Sequence, residues 1–200
     1  ATGTARIPAA IARTGGSPAR LVGLDVTWRM LAHGRARLRR TGDGAGLAFV
    51  CASAMAMPLA SGRFDVVTCG LGMHHMDVPR VLGQVHRVLA DAGRLVLVTV
   101  GARRYWDAPG VRALMHGITF LYFKMQGQTA RARAEAATTS NVYTADEWRD
   151  VLADAGFTAI EVRPEFTPRH TWYPYGLVLK AKKGTKIETK INRHPKPRGN

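Results

Sequence analysis

The residues best placed to do chemistry are Gly3 and Asp25, 22 positions apart. Gly3 lies in the small-residue run Ala1-Thr2-Gly3-Thr4-Ala5, and Asp25 closes the apolar run Leu21-Val22-Gly23-Leu24. A small-residue turn, a helix and a strand ending in a carboxylate form the lower half of a nucleotide-ribose site. The turn lets backbone approach the ligand, and the acid accepts from the ribose hydroxyls. Asp25 also suits a helix N-cap, so its spacing leaves two roles open. A turn of this kind ordinarily follows a buried strand. Residue 1 already lies in the turn and is not Met, so the expectation is a chain whose first strand lies outside the sequence.

The cysteines point away from a metal or redox centre. Cys51 and Cys69 have no C-x-x-C spacing and sit at the ends of apolar runs. Reduced thiols at strand ends of a cytoplasmic protein are expected. No run of about 18 apolar residues is present, so no transmembrane segment is expected.

The elements around these residues follow from the size and pattern of the chain. Two hundred residues, 46% of them hydrophobic, suit one domain with a sizeable core, assigned here to residues 1–183. Strand and helix patterns alternate, which predicts an α/β fold with a mostly parallel sheet. A short helix is expected over 6–13, a strand over 21–26, and a helix after Thr27 with Met30, Leu31 and Leu38 inward. Strands are expected over 47–51, 64–69 and 95–100, with a helix over 78–89 that Gly93 closes with positive φ. Thr144 and Glu147 have capping-box spacing for a helix to Ala155. Two closing strands are expected over 158–163 and 176–180. The stretch from Gly101 to Val142 breaks the rhythm and reads as a lid or substrate wall.

The net charge is +15, and the tail from Lys180 onward carries +7 of it. Such a tail either binds an anionic surface or nucleic acid, or is a solvated end without order. Residues 184–200 contain no aromatic residue to stack bases, which weakens a single-strand role.

Taken in order, several segments resemble one family. They are the loop 1–5, Leu24-Asp25, and Ser53-Ala54-Met55-Ala56-Met57-Pro58-Leu59. Arg63-Phe64-Asp65-Val66-Val67, Gly72-Met73-His74-His75 and Arg87-Val88-Leu89 follow. Ala92-Gly93-Arg94-Leu95, Tyr143-Thr144, Trp148, Leu152 and Ala155-Gly156-Phe157 complete the set. Each piece is common, but their order and spacing resemble the class I S-adenosylmethionine-dependent methyltransferases. The likeness is to the branch that includes ubiquinone and menaquinone C-methyltransferases. It covers residues 1 to about 183 and implies a Rossmann-like sheet with helices on both faces.

The resemblance implies S-adenosyl-L-methionine as cofactor. Ala1, Gly3, Asp25, Val26, Ser53, Ala54 and Gly70 are then the cofactor-binding residues. Asp25 would take the ribose hydroxyls, Val26 and Ala54 would flank the adenine, and Gly70 with Leu71 would line the pocket. His74 and His75 are the candidate bases, although a histidine at a helix start also serves as a backbone or water contact. Tyr105, Trp106 and Tyr143 would wall an acceptor pocket or belong to the core. The apolar face from Leu114 to Phe123 hints at a lipophilic acceptor. Adjacent histidines alone do not make a metal site, so no metal is expected.

Three departures from the family pattern stand out. The first strand and its terminal acid are missing, Ala1 and Ala5 stand where glycines are usual, and Ser53 stands where an Asp accepts from the adenine amino group in many relatives. The function expected is methyl transfer to a small-molecule acceptor, lipophilic or aromatic, by in-line displacement. Contact with a membrane surface and the oligomeric state are left open. An RNA or nucleic-acid methyltransferase using the basic tail is one alternative. It lacks support from an Asn/Asp-Pro-Pro-aromatic run or a Pro-Cys loop. A non-catalytic truncated fragment is another, because losing a central strand removes contacts comparable with a total stability of roughly 5–15 kcal/mol. A hydride-transfer enzyme fits worst, since no full G-x-G-x-x-G is present.

Overall fold

A computed structural model describes residues 2–14, 20–42, 46–108, 110–129, 132–133, 138–166 and 175–184. Ala1 and the basic tail from residue 185 lie outside these described residues. The fold is α/β, with the strands in two sheets. The chain divides into two compact units, Ala1–Ala60 and Ser61–Asn200.

The first unit holds helix α1 (Arg6–Arg13), strand β1 (Leu21–Asp25), helix α2 (Trp28–Thr41) and strand β2 (Leu47–Cys51). Strands β1 and β2 run parallel, in register from Leu21 opposite Leu47 to Asp25 opposite Cys51. Ala5, Ala9 and Leu38 form a buried cluster joined by Leu47 and Phe49. In α2, Leu31 and Leu38 are buried as expected, but Met30 is 40% exposed and belongs to the outer face. Thr27 precedes α2 without a side-chain cap bond. Asp25 instead accepts the N–H of Thr27 itself, as described below.

Small residues let the N-terminal turn sit close. A Cβ on Gly23 would fall 2.8 Å from Thr2 Cγ2, and one on Gly34 would fall 3.1 Å from Ala5 Cβ. Ala5 itself takes φ of 58°. An L residue there crowds its own following carbonyl at a cost of about 1–2 kcal/mol. Position 5 is thus one where the backbone itself favours glycine.

The second unit is built on a four-stranded sheet. Its strands are β3 (Phe64–Gly70), β4 (Leu89–Gly101), β5 (Phe157–Phe166) and β6 (Tyr175–Lys183), in the order β3-β4-β6-β5. Strands β3 and β4 are parallel, while β6 is antiparallel to both β4 and β5. Interior strand β4 buries Leu95, Leu97 and Thr99 on one face. Pro164 is tolerated because β5 is an edge strand.

Strand β4 begins as soon as helix α3 (Val78–Val88) ends, earlier than its apolar run suggests. Within that early part the positive φ belongs to Ala92, at 58°, and not to Gly93. Gly93 is required for space, since a Cβ there would lie 2.8 Å from the Ala90 carbonyl oxygen and 3.1 Å from that of Phe64. Helix α3 is started by Asp77, whose carboxylate accepts the Arg80 N–H at 3.0 Å.

The long insertion contains short 3-10 turns at Arg104–Asp107 and Thr138–Asn141, with helix α4 (Val111–Met125) between them. Helix α5 (Ala145–Asp154) follows with the expected capping box: Glu147 N–H donates to Thr144 Oγ1, and Thr144 N–H donates to Glu147 Oε2. Gly156 ends α5 at φ of 88°, and a Cβ there would lie 3.1 Å from His86 Nε2.

Candidate functional site

In the first unit the site is organised by Asp25. Its Oδ2 accepts the Gly3 N–H at 2.8 Å and its Oδ1 accepts the Thr27 N–H at 2.9 Å. The backbone closes around it: Thr2 N–H donates to the Leu24 carbonyl at 2.8 Å, and Ala52 N–H to the Asp25 carbonyl at 3.0 Å. One carboxylate therefore ties the N-terminal turn, the end of β1 and the start of α2 together. The helix-start role and the ligand role are compatible, because each carboxylate oxygen keeps a second lone pair.

The surroundings of Asp25 suit a nucleoside. Val26, directly after it, is 71% exposed and offers an apolar surface beside the acid. Ser53 shapes its own loop: its Oγ accepts the Met55 N–H at 3.2 Å and its carbonyl accepts the Ala56 N–H at 3.1 Å. Ala54 between them is buried. Donors, acceptors and apolar surface of the kind an adenosine needs are thus present, while Ser53 brings a neutral oxygen and no charge. Ala1, expected at this site, lies outside the described residues.

The second unit carries the remaining expected residues. Gly70 ends β3, and Leu71 after it is held at φ of 53° while its N–H donates to the Val98 carbonyl at 2.7 Å. A leucine in the left-handed region is strained, and such strain collects at functional turns. A 3-10 turn over Met73–His75 then presents His74 and His75, their ring centroids 4.1 Å apart. His75 is exposed and His74 half-buried. Asn141 fixes this turn by donating its side-chain amide to the carbonyls of His74, at 3.2 Å, and Met76, at 3.0 Å. Nothing in the sequence pattern signals that role, because Asn141 lies in the irregular insertion.

The three aromatic residues expected to wall an acceptor separate. Tyr105 is 42% exposed. Trp106 is 2% exposed and belongs with Ala102 and Val142 to a core cluster that Val100, Val111 and Met115 extend. It is a core residue and not a wall, because β4 and α4 close over its ring. Tyr143 stacks edge-on to Trp148 at 5.2 Å, and its carbonyl accepts the Ala102 N–H at 2.9 Å. Burial, helped by the nearby Glu147 carboxylate, pushes its phenol above the ordinary tyrosine range.

Comparison with known proteins bears on the fold. Residues 1–97 match the family model of the methyltransferase domain. The chain is 40% identical over 81 residues to a demethylmenaquinone methyltransferase of Thermus thermophilus, covering 40% of this chain and 36% of that protein. It is 27% identical over 168 residues to the demethylmenaquinone methyltransferase of Geobacillus kaustophilus, covering 81% and 70%. The chain spans only about a third of the length of the first curated relatives it matches. Among solved structures, a putative methyltransferase from Bacillus halodurans superposes with a TM-score of 0.65 at 19% identity, covering 92% of this chain and 90% of that one. A geranyl diphosphate C-methyltransferase from Streptomyces coelicolor, solved with S-adenosyl-L-homocysteine, gives a TM-score of 0.66 at 13% identity, covering 90% and 68%. The expected fold is therefore the observed one: the chain has the α/β fold of these solved methyltransferases, and its residues 1–97 match the methyltransferase domain model.

Proposed function

We propose that this chain binds S-adenosyl-L-methionine through its first unit and transfers the methyl group to a small lipophilic or aromatic acceptor, quinone- or lipid-like. The observation that carries the reading is the Asp25 carboxylate, held at the strand end by Gly3 and Thr27 with acceptor capacity to spare. When bound, the cofactor supplies a methyl carbon on a sulfonium whose leaving group is neutral. The protein's tasks are then alignment and exclusion of water. Asp25 accepts the ribose hydroxyls, a charge-assisted pair. Gly3 leaves room for the methionine part, Val26 and Ala54 flank the adenine, and Ser53 accepts weakly from its amino group.

In the second unit, Gly70 and Leu71 form the strained turn that the family resemblance assigns to cofactor binding. His74 and His75 are the groups proposed to take a proton from the acceptor. Tyr105 and Tyr143 are proposed to contact it. Relatives named for demethylmenaquinone support a quinone-like acceptor. The test is an acceptor screen with radiolabelled S-adenosylmethionine. Methylation of prenylated quinols or lipids is expected, and turnover of polar, water-soluble acceptors alone would overturn the acceptor class.

A further inference from the structure

Helix α4 is apolar along one side. At its start Val111 and Met115 on that side pack against the Trp106 cluster. The rest of the same side is uncovered: Leu114 is 62% exposed, Ile118 45%, Leu121 56%, Tyr122 58% and Met125 79%. These positions fall at i, i+4, i+7, i+8 and i+11, one continuous stripe of the kind a helix normally buries. A contiguous exposed stripe of large side chains marks an interaction surface.

Charge says what covers it. From Ala108 to Ala134 the sequence contains no Asp or Glu, while His116, Lys124, Arg131 and Arg133 lie within it. Arg112, at the start of α4, is already paired with Glu147. We propose that α4 is an interfacial helix that lies on an anionic lipid bilayer, with its apolar stripe in the acyl boundary and its basic flank among the headgroups. A second copy of this chain would bring another +15 to a basic face, which opposes self-association. Fifteen residues at 1.5 Å each span about 22 Å, short of the roughly 30 Å hydrocarbon core, so the helix lies in the plane of the surface. The face that suggested a lipophilic acceptor in the sequence is thereby assigned to the lipid phase. The inference does not depend on methyl transfer.

The test is flotation of the full chain with vesicles of phosphatidylcholine plus phosphatidylglycerol, beside phosphatidylcholine alone. The combined variant Leu114→Gln, Leu121→Gln, Met125→Gln is compared, with circular dichroism to verify folding. Met125→Gln alone gives a graded arm that does not threaten the fold. Anionic vesicles should bind the wild type, added salt should weaken binding, and the combined variant should lose at least about tenfold in partitioning. A chain lacking residues 185–200 should keep this α4-dependent part. Equal binding to neutral vesicles, equal binding by the variants, or no binding at all would overturn the proposal. So would sedimentation showing a dimer that the variants abolish.

Discussion

Asp25 Oδ2 and the backbone N–H of Gly3 meet at 2.8 Å across 22 residues of sequence. This one bond holds the N-terminal turn on the end of β1, so the candidate ribose acceptor is also a structural tie. Replacing Asp25 by Ala should therefore act twice. It leaves two backbone donors without an acceptor, at about 1–3 kcal/mol each where they are buried, and it removes the anionic acceptor. Asp25→Asn, which keeps one oxygen, should lose less stability than Asp25→Ala while binding S-adenosylhomocysteine poorly. Denaturant unfolding and calorimetry on the two variants separate the two effects.

Ser53 supplies a neutral oxygen within a turn that an aspartate also forms. Ser53→Asp should keep the loop and add a charged acceptor for the adenine amino group. The expected gain is about tenfold in S-adenosylhomocysteine affinity, read by calorimetry.

Ala5 and Ala9 bury the same methyl in the same cluster, yet only Ala5 has positive φ. At position 5 the relief of left-handed strain offsets the lost burial, each term being about 1 kcal/mol. Ala5→Gly should be neutral within about 0.5 kcal/mol, whereas Ala9→Gly in α1 should cost about 1–2 kcal/mol. Equal costs in urea unfolding would show that φ at Ala5 carries no strain.

His86 lies on α3 with its ring edge-on to Phe157 at 5.5 Å. Burial first, and then the Lys183 ammonium, hold it below the ordinary histidine value of 6.5, partly opposed by the Gly156 backbone. Between that lowered value and 6.5 the unfolded chain binds more protons than the folded one, so stability rises with pH there. It is lost as pH falls through the folded value. Thermal unfolding should show a melting temperature lower by a few degrees at acidic pH, and His86→Leu should flatten that dependence.

Arg112 joins α4 to α5 through Glu147, with contacts of 2.8 and 2.9 Å, and also donates to the Val142 carbonyl at 2.8 Å. Glu147 serves the capping box at the same time. Because both side chains are about one-third exposed, solvent screening keeps the pair itself modest. Arg112→Ala should cost about 1 kcal/mol, and Glu147→Ala about 1–2 kcal/mol because the cap goes too. Chemical denaturation of both variants decides the order.

What was legible in the sequence was local or periodic. Helix α1 and the Thr144–Glu147 box follow from short-range signals, and the distance from Gly3 to Asp25 follows from strand–turn–helix spacing. The roles of Gly23 and Gly34 were hidden, because their need for space comes from residues 2–5 folding back on them. Gly93 misled for a related reason: crowding requires a glycine there, while the unusual dihedral sits on Ala92. Helix α4 is legible only as an apolar face from Leu114 to Phe123, because Phe120 and Phe123 on its far side blur the period. Trp106 and Tyr105 are adjacent in sequence, yet one is core and the other exposed, a division only the packing of β4 and α4 decides.

The most direct measurement is titration calorimetry of S-adenosylhomocysteine into the full chain and into Asp25→Ala. The account expects saturable one-to-one binding by the wild type and a loss of at least about a hundredfold in the variant. No binding by a folded wild type, or equal binding by both, would contradict the assignment of Asp25 as the ribose acceptor.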